Sequence, residues 1–148
     1  MVLKGDIMDN LGLGVMINML GGNEKTVNTI NGALNKNIIK MFIEKNRWSE
    51  DSLVIEFDDK NKIRIFDDGQ SCCENRYIHT DDDLSAFVPS KLISVSLRKA
   101  PSIEDEYGEH EVQFLIIKTS LGEFTLETHN EHNGYYGGFW VVAKPITE

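Results

Sequence analysis

From Asn37 onward the apolar residues fall on alternate positions, and this period of two limits the fold more than any other feature. Ile39, Met41 and Ile43 alternate first, then Leu53, Ile55 and Phe57, then Ile63 and Ile65. Successive side chains of a strand point to opposite faces, so this spacing describes strands with one face in a core. The polar run Asp58-Asp59-Lys60-Asn61 supplies a hairpin turn between the last two. After Pro89 the pattern restarts. Residues 36–43 match 90–97 in apolar spacing, 53–57 match 113–117, and 63–69 match 124–130. Each unit reads as a helix followed by three hairpin-linked strands, and a last strand is expected over 139–143. The expected fold is α+β: a mainly antiparallel sheet or partly open barrel of two related helix-plus-three-strand units, 34–80 and 81–148.

Residues 1–33 read as an N-terminal helical segment. Ile7, Leu11, Val15 and Met19 recur every four residues, which describes a helix over 6–20 weakened by Gly12 and Gly14. Gly21-Gly22-Asn23 breaks it and caps a second helix over 24–34, with Val27, Ile30 and Leu34 on one face. Residues 67–80 read as irregular, 81–87 as a short helix with acid at its N-terminus, and 99–111 as a long acidic loop. Apolar Met16, Met19 and Leu20 make a homo-oligomer an expectation.

The 148 residues carry 24 acidic and 15 basic side chains, a net charge of −9. A nucleic-acid backbone is bound largely by neutralising phosphates with Lys and Arg, so that partner is not expected. Apolar runs fall short of the roughly 20 residues of a membrane helix, and no signal peptide is visible. Cys72 and Cys73 are adjacent and cannot form a secreted disulfide framework. A soluble cytoplasmic domain is the expectation.

Two polar clusters are dense in residue types that solubility alone does not require. One holds Asp67, Asp68, Cys72, Cys73, Glu74 and Arg76; the other holds His129, Asn130, Glu131, His132, Asn133, Tyr135 and Tyr136. A metal site would draw on His129, His132 and Cys72 with a nearby carboxylate, a set suited to zinc. Against it, residues three apart converge poorly in a strand, and there is no CxxC or HExxH. A cysteine nucleophile would need Arg76 or His129 to favour its thiolate. A binding pocket would use Tyr135, Tyr136, Phe139 and Trp140, interleaved with glycines, to stack on a planar ligand. The letters of an HNH nuclease are compressed into four positions here, and the Gly21–Thr26 stretch lacks the Gly-Lys pair of a phosphate loop.

The strings SCCENRY and HNEHNGYYGGF resemble an uncharacterised family of small phage and prophage proteins. The resemblance spans roughly residues 34–142 and departs from it at Pro89, where a glycine would be expected. It implies a phage or prophage origin, hence a host-cytoplasmic location, and brings no activity with it. The expected function is a non-enzymatic accessory protein that binds a small ligand, a nucleotide-derived host defence signal being a reasonable one. Alternatives are an acidic module inhibiting a host protein and a metal-dependent hydrolase.

Overall fold

The computed structural model describes residues 24–45, 51–69, 74–99, 103–105, 108–132 and 139–147. Its elements are a helix α1 (Glu24–Ala33) and nine strands: β1 (Asn37–Glu44), β2 (Ser52–Phe57), β3 (Lys62–Asp67), β4 (Glu74–His79), β5 (Ser90–Lys99), β6 (Ile103–Asp105), β7 (Gly108–Thr119), β8 (Gly122–His132) and β9 (Val141–Pro145). Eight strands form one open antiparallel sheet in the order β4-β8-β7-β5-β1-β2-β3-β9, and β6 pairs with β7. The fold is α+β in character and mostly sheet. The alternation of Leu53, Ile55 and Phe57 and of Ile63 and Ile65 turns those five side chains into the main core, where all are buried. Leu92, Leu115, Ile117 and Leu126 enter the same core from the other half of the sheet. Fully burying one such side chain stabilises by about 1.5–3 kcal/mol.

Among the described residues the two halves pair strand to strand where β1 and β5 begin, at Asn37–Lys91 and Ile38–Ser90. Each strand has a register shift just beyond that joint, between Ile38 and Lys40 against β2 and between Leu92 and Ser94 against β7. α1 packs on β9, placing Ile30 and Ala33 in the core, and buried Thr26 Oγ1 accepts the Ala143 N–H at 3.2 Å.

Several local expectations need correction. Part of 67–80, expected to be irregular, is strand β4. It ends the sheet, yet its outer side is not bare: the Ile78 N–H donates to Asp51 Oδ2 at 3.1 Å, and Lys45 Nζ donates to the Ile78 carbonyl at 2.5 Å. Side chains thus blunt an edge that would otherwise template another strand. The short helix expected over 81–87 shrinks to a 3-10 turn over Leu84–Phe87, because Asp83 caps it by accepting the Ser85 N–H at 3.1 Å. Within 99–111, expected to be a loop, β6 and the start of β7 make a hairpin, pairing Ile103 with His110 and Asp105 with Gly108. The last strand begins at Val141, two residues later than its expected start. The helix expected over 6–20 lies outside the described residues. Among the described residues no helix is long and apolar enough to cross a membrane.

Candidate functional site

The described parts of the two polar clusters lie on adjacent strands. β4 and β8 pair antiparallel, setting Glu74 opposite His132, Asn75 opposite Glu131, Arg76 opposite Asn130 and Tyr77 opposite His129. Because strand side chains alternate, this one ribbon presents two environments. Arg76 and Asn130 belong to the buried face, whereas Tyr77, His129 and Glu131 belong to the outer one.

On the buried face, Arg76 Nη1 donates to both carboxylate oxygens of Asp67, at 2.9 and 3.0 Å. Asp67 sits at the end of β3, so this ion pair ties β4 to the far half of the sheet. Asp67 Oδ1 also accepts the N–H groups of Gly69, at 3.0 Å, and Trp140, at 3.2 Å. Burial raises the Asp67 carboxyl above the ordinary carboxylate range, and Arg76 and the two backbone N–H groups offset only part of that effect. Gln113, Thr128 and Asn130 extend this buried polar layer across β7 and β8, with Thr128 Oγ1 donating to the Gln113 carbonyl at 3.1 Å.

Trp140 completes the corner. Its carbonyl accepts the Asp68 N–H at 3.0 Å, and its side chain closes over Gly69. A Cβ at Gly69 would lie 2.2 Å from the indole Cδ1 and 3.0 Å from Arg76 Cζ, so this close approach requires glycine. Trp140 nevertheless remains 49% exposed, and Asp68 beside it is exposed too. The result is an aromatic surface open to solvent, seated on a buried ion pair and flanked by a carboxylate.

On the outer face, Glu127 Oε1 lies 3.0 Å from His129 Nε2, and His129 Nδ1 lies 2.7 Å from His110 Nε2. With both imidazoles neutral and Glu127 accepting, one proton arrangement satisfies both bonds: His129 carries its proton on Nε2 and accepts at Nδ1 from His110 Nε2–H. The Tyr77 ring stacks on His129 with centroids 4.5 Å apart and planes 6° from parallel. Its hydroxyl donates to Glu131 Oε2 at 2.5 Å. Burial holds the His129 imidazole below its ordinary pKa, His110 adding to the shift and Glu127 opposing it. Burial also raises the Tyr77 phenol, and the bond to Glu131 and its charge help push it up to about 12.

Arg76, Asn130, His129 and Glu131 are therefore brought to one ribbon, and Asp67, at the end of β3 with Asp68 next to it, joins them through Arg76. Cys72, Cys73, Asn133, Tyr135 and Tyr136 lie outside the described residues, as do the side chains of Glu74 and His132. Among the described residues no group of three or more His, Cys, Asp or Glu is placed to hold a metal ion. Sequence reasoning missed His110, Glu127 and Gln113 as members of the site. His110 falls within the loop expected over 99–111, although the alternation of His110, Val112 and Phe114 carries the strand signal.

No curated protein and no solved structure matches the chain significantly. A family model described as a domain of unknown function matches residues 31–142, most of the chain and all of the ribbon described above. The chain belongs to that family, the domain of unknown function DUF7448.

Proposed function

We propose that this chain is a non-enzymatic binding protein that takes a small planar ligand at the Trp140 corner. The observation that carries the reading is the half-exposed indole fixed over Gly69, with Asp68 exposed alongside. A planar ring stacks on that indole, while its amino or hydroxyl groups donate to the Asp68 carboxylate. A nucleotide has both parts in its base and ribose, with its phosphates directed away from the Asp68 carboxylate. Nucleotide-derived host defence signals fit this description, and the resemblance to phage proteins supports a role in sequestering one. His129 favours binding over catalysis, because both of its ring nitrogens are spent on Glu127 and His110.

We also infer that the two halves of the sheet are related copies. The order β8-β7-β5 mirrors β3-β2-β1 about the joint, and the register shifts at Ile38/Lys40 and Leu92/Ser94 fall at positions that the matched spacing of 36–43 and 90–97 makes equivalent. The pairing registers align Leu53 with Leu115, two residues from the match by apolar spacing, and keep Ile63 with Phe124. Trp140 then stands beside Asp68 as Tyr77 stands beside His129. At the second place the imidazole already covers the Tyr77 ring, which leaves Trp140 as the open stacking surface.

The test is ligand binding by the full chain across nucleosides, nucleotides and cyclic oligonucleotides, followed by thermal shift and Trp quenching. A Trp48→Phe background leaves Trp140 as the only indole. A binder should stabilise the wild type, and Trp140→Ala should weaken it by the about 1–3 kcal/mol of one aromatic–base stack. No response across the panel, or binding indifferent to Trp140→Ala, would overturn the proposal.

A further inference from the structure

We infer that two copies of this chain associate through the open groove at the β1–β5 joint. The groove encloses about 630 Å³ and is lined chiefly by Asn37, Ile39, Asp58, Pro89, Lys91 and Ser120. Ile39 is 53% exposed, Ile93 two residues beyond Lys91 is 38% exposed, and Leu121 next to Ser120 is 58% exposed. With Trp140 these are the exposed large apolar side chains among the described residues; Ile39 lines the groove, and Ile93 and Leu121 stand within two residues of its lining. Ile39 and Ile93 occupy the register shifts of β1 and β5, where a residue drops out of ladder pairing. Their neighbours Ile38 and Leu92 are fully buried, so the shifts turn one isoleucine from each half outward. Clustered exposed apolar residues mark an interaction surface rather than ordinary scatter.

Charge identifies the occupant. A chain of net charge −9 repels its own copies over most orientations. At this groove the charges are balanced instead: Asp58, after β2, lies on one side of the joint and Lys91, in β5, on the other, both exposed. A two-fold axis across the joint sets Asp58 against the partner's Lys91, and Lys91 against the partner's Asp58. Ile39 and Ile93 lie on either side of that charged row along the strands and pack against the partner around the two ion pairs. Such a patch is self-complementary, as an isologous dimer interface must be. Asp58 is held in place by Asn37 Nδ2, which donates to Asp58 Oδ2 at 2.9 Å.

The test is sedimentation equilibrium of the full chain over a concentration series, with circular dichroism verifying that each variant is folded. The wild type should reach dimer mass, and Ile39→Lys should weaken association by at least about tenfold, as loss of an apolar anchor does. Asp58→Lys and Lys91→Asp should each weaken it, and the double reversal, which re-forms both pairs with opposite sign, should restore it. A monomer throughout, a dimer indifferent to Ile39→Lys, or a double reversal no better than the single ones would overturn the inference. A monomer that captures a different protein or a small molecule at the groove would overturn it equally.

Discussion

The substitution Arg76→Met tests whether the buried ion pair anchors the site. It removes both Nη1 bonds to Asp67, at 2.9 and 3.0 Å, and with them the only counter-charge described beside that carboxylate. Asp67 keeps the N–H groups of Gly69 and Trp140, which carry partial charge only. Removing one partner of a buried ion pair costs about 3–5 kcal/mol, because the other charge is left stranded. In a domain of this size that corresponds to a drop in Tm of about 6–20 °C. The pH dependence has a definite sign. Burial raises the folded pKa of Asp67, so the folded chain holds that proton more tightly than the unfolded chain does. The associated stability is present at acid pH and lost as pH rises through the folded pKa. Without Arg76 that loss is larger, so the deficit of Arg76→Met should be widest near neutrality and should narrow toward about pH 4, near the ordinary carboxylate range. The double variant Asp67→Asn/Arg76→Met, which removes both charges, should recover most of the stability. Urea denaturation at several pH values measures all three quantities. A deficit below about 1 kcal/mol, the range of exposed pairs, or one that does not change with pH, would refute the reasoning.

Gly69→Ala should displace the indole, since its Cβ would lie 2.2 Å from Trp140 Cδ1; a shifted Trp140 emission maximum and a loss of about 1–3 kcal/mol are expected, and an unchanged spectrum would count against the corner as described. The depressed His129 pKa contributes stability that is present above its unfolded value of 6.5 and lost as pH falls. Wild-type Tm should therefore decline on acidification below that value, and His129→Gln should flatten the decline. Ultraviolet titration should find a tyrosine ionising at about 12, and Tyr77→Phe should remove that step.

Much of the sheet was legible in the sequence because its strands have one apolar face. Leu53, Ile55 and Phe57 alternate in β2, and Phe124 and Leu126 in β8, each turned toward the core. β4 was not legible, because Glu-Asn-Arg-Tyr-Ile-His puts Arg76 where alternation leads one to expect an apolar residue. Arg76 is buried only because Asp67, nine residues earlier on another strand, neutralises it, and local spacing carries no trace of that partnership. β6 and the start of β7 were hidden for a related reason: acidic residues make a hairpin look like a solvated loop. For the site, composition singled out the two clusters, and strand pairing determined which members meet. His110 joined His129 through the β7–β8 register, a long-range fact that neither residue's neighbours encode.

Glu74–His79 is a strand of the sheet, and its pairing with β8 brings the described parts of the two polar clusters together. Nuclear Overhauser contacts between the aromatic protons of Tyr77 and the imidazole protons of His129 test it directly. Rings stacked at 4.5 Å should give strong cross-peaks, lost in His129→Gln. A well-folded wild-type chain in which these two rings show no contact would contradict the account.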